Sequence, residues 1–237
     1  MIPPAEALHT PSGLAYRVIQ KGKGGAFPGP KDFVSVHLTG WDSAGKAFAN
    51  TRTQDEAPYL SLERVMPGVR ESLLAMEVGE QRRVWIPEPL AFGGAKGRPA
   101  GPVVMDLELV EAVPPPSQAP PDVAAPPADA RMLRSGLSFK VLRPGVGQEH
   151  PLRSSWVSVH YTGWTTDGKM FDSSLPRGAS VLLQLRGTIE GWIEGIPLMV
   201  VGERRRFWIP ENLAYHGNRG MPAGMLVFDV ELVGIAK

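Results

Sequence analysis

The sequence predicts an α+β protein made of two copies of one domain, each a curved antiparallel β-sheet wrapped around one short α-helix. Three observations predict it. Sliding the chain against itself gives one register, an offset of 123 residues, that holds from Pro3/Pro126 to Val110/Val233 with 47 of 108 pairs identical and no insertion. A gap-free repeat of that length implies shared strands, turns and loop lengths. Most segments of each copy alternate polar and apolar residues and are rich in β-branched and aromatic side chains, which is the pattern of half-buried strands. Only one segment per copy carries helical spacing.

The elements follow in order. In the second copy LSFKVL (137–142) and SWVSVHYTGW (155–164) read as strands, TTDGK (165–169) turns through its Asp-Gly, and Met170–Ser173 continues as a short strand. VLLQL (181–185), ERRRFWI (203–209) and MLVFDVEL (225–232) complete a set of about five strands, and such a run favours a mostly antiparallel sheet. The helix is IEGWIEGIPLM (189–199), where Trp192, Ile196 and Met199 share one face, as Val69, Leu73 and Met76 do in the first copy. Pro197 and two glycines oppose a long helix, so packing on the sheet must hold it.

The domains are therefore expected at 1–113 and 131–237, either side of PPPSQAPPDVAAPPADA (114–130). Prolines remove backbone donors and favour extended polyproline II, so this segment reads as a semi-rigid spacer, with a proline-rich docking motif as the other reading. At 237 residues each copy is large enough to fold without staples.

Composition excludes several classes of function. The formal net charge of +1 argues against a dedicated nucleic-acid binder. The absence of Cys excludes disulfides, thiolate zinc sites and Cys nucleophiles. No apolar run reaches the roughly 18–20 residues needed to span a bilayer. MIPPAEALHTPSG has neither a basic start nor an apolar h-region. The chain as it stands is expected in the cytoplasm, or in the periplasm or tethered to a surface if a leader precedes it.

Several local signals are read as structural. His37 and His160 stand identically in V-x-V-H in both copies, which points to a structural hydrogen bond. His9, His150 and His216 lack ligand-like spacing. KGKGG (21–25) is a turn and not a phosphate loop. The arginines 204–206 are expected on a solvated strand face, and no G-x-S-x-G elbow is present.

VHYTGWTTDGKMFDSS, IEGWIEGIPLMVVGERRRFWIPENLAYHG and MPAGMLVFDVEL, in that order, resemble the FKBP-type peptidyl-prolyl cis–trans isomerases. The resemblance covers nearly all of both copies, roughly 200 residues. It implies an apolar pocket between helix and concave sheet that receives a proline ring. By position Trp192 is the floor and Tyr161, Phe171 and Phe228 the walls, with Thr188 and Ile189 beside the helix. Asp172, Arg177 and Tyr215 are the polar rim, and Ile189 offers a backbone N–H to a substrate carbonyl. Tyr161, Asp172, Tyr215 and Ile189 would carry the chemistry. Val181 stands where relatives often have an aromatic edge, and Met221 where an Ile often packs over the substrate.

The expected partners are X-Pro segments of unfolded or flexible proteins, and macrolides through the same pocket. No cofactor or metal is required, and the chain is expected to be a monomer. A non-catalytic chaperone gripping apolar segments is the alternative.

The first copy departs selectively. Tyr161, Asp172, Arg177, Trp192, Tyr215 and Phe228 are matched by Leu38, Ala49, Gln54, Val69, Phe92 and Met105. In the family the phenol at the Tyr161 position bonds the carboxylate at the Asp172 position. Losing one partner strands a polar group at about 1–3 kcal/mol, whereas replacing both is nearly neutral. The first copy is therefore expected to keep the fold without the prolyl site, as a binding or spacing domain.

Overall fold

The computed structural model describes residues 2–25, 27–54 and 56–236. The chain divides into two compact units at Pro115/Pro116. The first contains β1 (Leu8–His9), β2 (Ala15–Gln20), β3 (Phe33–Trp41), β4 (Ala47–Asn50), β5 (Tyr59–Ser61), α1 (Pro67–Leu74), β6 (Gln81–Ile86) and β7 (Val103–Val113). The second contains β8 (Arg131–Met132), β9 (Ser138–Arg143), β10 (Trp156–Thr165), β11 (Met170–Ser173), β12 (Val181–Gln184), α2 (Glu190–Gly195), β13 (Arg204–Ile209) and β14 (Leu226–Ala236).

Each sheet has seven strands, ordered β1-β2-β6-β7-β3-β4 and β11-β10-β14-β13-β9-β8, with β5 and β12 paired to β3 and β10. All pairs are antiparallel, as the run of strands predicts. The two sheets also share their irregularities. β3 slips register against β4 between Gly40 and Trp41, and β10 slips against β11 between Gly163 and Trp164. Ala49 and Asp172 thus face the equivalent glycines Gly40 and Gly163.

The second core joins Trp192, Ile196 and Met199 of the helical segment to Phe139, Phe207, Ile209, Phe228 and Val230 of the sheet. Ile196 and Met199 have no exposed surface. The predicted helix over 189–199 is realised as α2 followed by a 3₁₀ turn, Ile196–Leu198, that contains Pro197. Its glycines are contacts as well as weaknesses. A Cβ on Gly191 would meet Ile209 Cγ2 at 2.5 Å, and one on Gly195 would meet Phe207 at 2.7 Å. Their absence of side chains lets helix and sheet approach.

Two expectations are corrected here. The arginines 204–206 are not a solvated face. Arg206 forms a bidentate pair with Asp229 (2.6 and 2.8 Å) and also bonds Asp122, while Arg205 is buried against Glu203 at 2.5 Å. Burial of a guanidinium requires such partners. The proline-rich segment, from Pro116 onward, lies within the second unit and does not stand off as a spacer. Trp164 Nε1 donates to the Pro116 carbonyl at 2.8 Å and Trp208 Nε1 to the Asp122 carbonyl at 2.9 Å. Two buried indole donors need acceptors, and this segment provides them.

The histidine reading holds in one copy. His160 Nδ1 and Ser174 Oγ are 3.3 Å apart, but His37 Nδ1 is buried without a partner among the described residues. Thr51 stands in the place of Ser174, and its hydroxyl engages the backbone of Leu38.

Candidate functional site

β10, β11, α2 and β14 converge on a cleft of ≈ 530 Å³ in the second unit. Period-two alternation along β10 sends Val157, Val159 and Tyr161 to the helix side of the sheet, and along β14 it sends Phe228 and Val230 there. Gly163 carries no side chain where a Cβ would strike Phe171 (2.6 Å) and Phe228 (2.7 Å), so both rings lie across the strand.

The rings form an edge-to-face chain. Tyr161 and Trp192 have centroids 5.3 Å apart, Trp192 and Phe228 5.3 Å, and Phe228 and Phe171 5.4 Å, with interplanar angles of 76–87°. Such contacts rigidify an aromatic wall beyond their area alone. Trp192 is 6% exposed, and its Nε1 is buried without an acceptor among the described residues.

One edge is polar. Tyr161 donates its O–H to Asp172 Oδ2 at 2.5 Å, and Arg177 Nη2 donates to the Tyr161 oxygen at 3.0 Å. Arg177 also lies 3.5 Å from Asp172 Oδ1, both side chains being about half exposed. Burial pushes the Tyr161 phenol above its ordinary range, the adjacent Asp172 carboxylate adds to this, and Arg177 opposes it. Tyr215 is pushed up by burial and then by Asp172. Both phenols therefore remain hydrogen-bond donors at neutral pH. Ile189 caps α2 in extended conformation, and its backbone N–H has no acceptor among the described residues.

The cleft brings together Tyr161, Phe171, Asp172, Thr188, Ile189, Trp192, Tyr215 and Phe228 of the sequence-predicted set. Arg177 stands at the edge through its bonds to Tyr161 and Asp172. Val181 and Met221 do not line it. Val181 pairs with Val159 at the start of β12, and Leu183, two residues on and paired with Val157, takes the lining position. Met221 lies in an exposed loop, 45% accessible.

Sequence reasoning missed Leu183, Gly187, Glu190, Ala214, His216 and Asn218. Their signal was adjacency. Glu190 follows Ile189, Ala214 and His216 flank Tyr215, and His216 adopts a left-handed φ of 54° that bends the loop.

In the first unit four of the six matching positions belong to the packed interior, while Ala49 is partly buried and Gln54 exposed. Val69 and Met105 are 2% exposed core residues, and Leu38 and Phe92 pack against them. Phe48 and Phe92 meet edge to face at 5.6 Å.

A curved sheet around one short helix, with an aromatic cleft and a tyrosine–aspartate edge, is the arrangement that the resemblance to FKBP-type isomerases implies. The family model described as FKBP-type peptidyl-prolyl cis-trans isomerase matches residues 24–118 and 147–233, and the chain belongs to that family. It is 47% identical over 110 residues to FKBP-type peptidyl-prolyl cis-trans isomerase FkpA of Aeromonas hydrophila, covering 45% of this chain and 41% of that one. It is 46% identical over 106 residues to the FKBP-type 22 kDa isomerase of Escherichia coli, covering 43% and 50%. FK506-binding protein 1A of Aspergillus fumigatus is 40% identical over 108 residues, covering 42% of this chain and 95% of that protein. The chain spans about half the length, or less, of the first two relatives. Among solved structures, Escherichia coli FkpA matches with a TM-score of 0.44 and 32% identity over 47% of this chain and 53% of that one.

Proposed function

We propose that the second domain catalyses cis–trans isomerisation of X-Pro bonds in unfolded or flexible proteins, and that the first is a binding or spacing module. One observation carries this reading. The aromatic cleft and the Tyr161–Asp172–Arg177 edge are present in one copy, whereas the same register positions in the other hold Leu38, Ala49 and Gln54.

The chemistry needs no nucleophile. Rotation about a peptide bond has a barrier of about 18–20 kcal/mol because amide resonance must be broken. A twisted imide has lost resonance and much of its charge separation, so an apolar cleft favours it over the planar ground state. The walls of Tyr161, Phe171, Trp192 and Phe228 supply that environment around the proline ring. The Ile189 N–H and the Tyr215 hydroxyl hold the flanking carbonyls. Each ~1.36 kcal/mol taken from the barrier gives tenfold in rate, so these modest effects suffice. Asp172 and Arg177 act by holding the Tyr161 ring at one angle. The same cleft accepts an FK506-type macrolide, as the name of the Aspergillus relative suggests.

The test is a protease-free isomerisation assay on the full chain carrying Tyr161→Leu with Asp172→Ala, the residues of the first copy. A large loss of turnover with the fold intact is expected. An unchanged rate contradicts the proposal.

A further inference from the structure

The two copies differ on the helix side of their sheets and agree on the other. In the second domain Trp164, Arg206, Trp208, Val227 and Asp229 form the outer face, by alternation with the core residues Phe207, Ile209, Phe228 and Val230. Their counterparts are Trp41, Arg83, Trp85, Val104 and Asp106, identical at all five positions. On the cleft side, by contrast, Tyr161, Asp172, Trp192, Tyr215 and Phe228 were exchanged, and Phe171, Leu183 and Ala214 were kept as Phe48, Leu60 and Ala91.

In the second domain this face is covered by residues 116–123. Trp164 and Trp208 donate to the Pro116 and Asp122 carbonyls, Arg206 Nη1 bonds the Asp122 carboxylate, and Ala119 Cβ comes within 3.3 Å of where a Gly168 side chain would begin. Trp164 is 4% exposed and Trp208 fully buried.

The first domain carries the same five residues less fully covered: Val104 is buried, whereas Trp41, Arg83, Trp85 and Asp106 are only partly buried. Trp41 and Trp85 are only half-buried, and neither indole N–H has an acceptor among the described residues. Arg83 uses Nε and Nη2 on Asp106, at 2.6 and 2.7 Å, and leaves Nη1 over. The Arg83 and Asp106 side chains are 36% and 24% exposed, against 11% and 7% for Arg206 and Asp229. Nothing lies within 4 Å of a Cβ built on Gly45, the counterpart of Gly168.

We propose that the outer face of the first domain binds an extended, proline-rich peptide carrying an aspartate six residues after its first anchoring carbonyl. The occupant's chemistry is read from residues 116–122, where proline favours an extended backbone with free carbonyls and the aspartate supplies an acceptor for the remaining donor, Arg83 Nη1. Aromatic grooves with indole donors suit such segments, because a preformed extended chain loses little entropy on binding. This site is separate from the prolyl cleft and needs no isomerisation.

The probe is the synthetic peptide PPPSQAPPDV, the sequence of residues 114–123, titrated into the full ¹⁵N-labelled chain. The chain has six tryptophans and thus six indole N–H resonances. Saturable downfield movement of those of Trp41 and Trp85 is expected, with the other four unmoved. Trp41→Phe with Trp85→Phe keeps an aromatic ring at each position, removes the indole donors, and should weaken binding at least five-fold without altering isomerase turnover. The Asp→Asn peptide should bind about ten-fold more weakly, since a charge-assisted bond is lost.

Absence of saturable binding to the wild-type chain overturns the proposal. So does binding that is insensitive to Trp41→Phe/Trp85→Phe but lost in Trp164→Phe, which places the peptide on the second domain. A dimeric chain in which the Trp41 and Trp85 indoles are already bonded overturns it in favour of a second copy as occupant.

Discussion

Two domains with the same seven strands, the same register slips and the same gap-free spacing differ in what fills the space between helix and sheet. In the second, Tyr161, Phe171, Trp192 and Phe228 lean on one another and leave a cleft. In the first, Val69 and Met105 sit in the core with Leu38 and Phe92 packed on them. The helix–sheet seam was adjusted as well. Gly195 faces the large Phe207, while the residues at the same repeat positions are Ser72 and the smaller Val84, in a helix that also approaches the sheet through Gly68. The exchange of a small and a large residue for two of middling size is the kind of compensated change that cores tolerate best. The difference teaches that the scaffold and the cleft are separable: strands, bulges and glycines specify the first, and a handful of rings and one polar pair specify the second.

The largest expected effect comes from importing the first copy's floor. Trp192→Val removes the ring that touches Tyr161 and Phe228, and it should lower turnover by about 100-fold or more. It should also cost about 3 kcal/mol or more of second-domain stability, measured by denaturant unfolding followed in that domain. Next in size is a test of the shared seam. Gly191→Ala and Gly68→Ala would place a Cβ 2.5 Å from Ile209 Cγ2 and 2.4 Å from Ile86 Cγ2. Overpacking of about 1–3 kcal/mol exceeds the roughly 1 kcal/mol of helix propensity gained. Domain-resolved hydrogen exchange should show similar losses in both copies; a loss in only one would mean the seams are not equivalent.

The polar edge is expected to matter less to stability than to rate. Tyr161→Leu, Asp172→Ala and their combination form a double-mutant cycle. Because the Asp172 side chain is about half exposed, the coupling in stability should be about 1 kcal/mol or less. The smallest effect is alkaline. The Tyr161 and Tyr215 phenols are raised, chiefly by burial, so the folded state holds its protons longer than the unfolded chain does. Their contribution is complete below the ordinary tyrosine pKa of about 10 and is lost as pH rises through the higher folded values. Leu38 and Phe92 cannot titrate, so those positions give the first domain no such loss. Melting curves between pH 8 and 11, with Tyr215→Phe as control, would read it.

Much of this organisation was legible in the sequence because periodicity and repetition are local signals. The strand positions other than the two-residue edge strands β1 and β8, the Asp-Gly turn before β11 and the exchange of Tyr161 with Asp172 for Leu38 with Ala49 all follow from it. What escaped depends on long-range partners. Composition marks residues 114–130 as extended, but it cannot show that the carbonyls of Pro116 and Asp122 meet two indoles on strands about 50 and 90 positions away. Alternation places Arg206 on the outer face but says nothing of Asp122 or Asp229 closing over it. Val181 was misplaced because a strand supplies two same-face positions, Val181 and Leu183, and only the position along the cleft decides between them.

The central claim, one working site beside a scaffold that has given it up, is tested most directly by a protease-free isomerisation assay on residues 1–115 and 116–237 separately. The division follows the compact units and keeps the covering segment with the second sheet. The account predicts turnover in 116–237 at the level of the full chain and none above background in 1–115. Turnover in 1–115, with Leu38, Ala49 and Val69 at its would-be cleft, would contradict it.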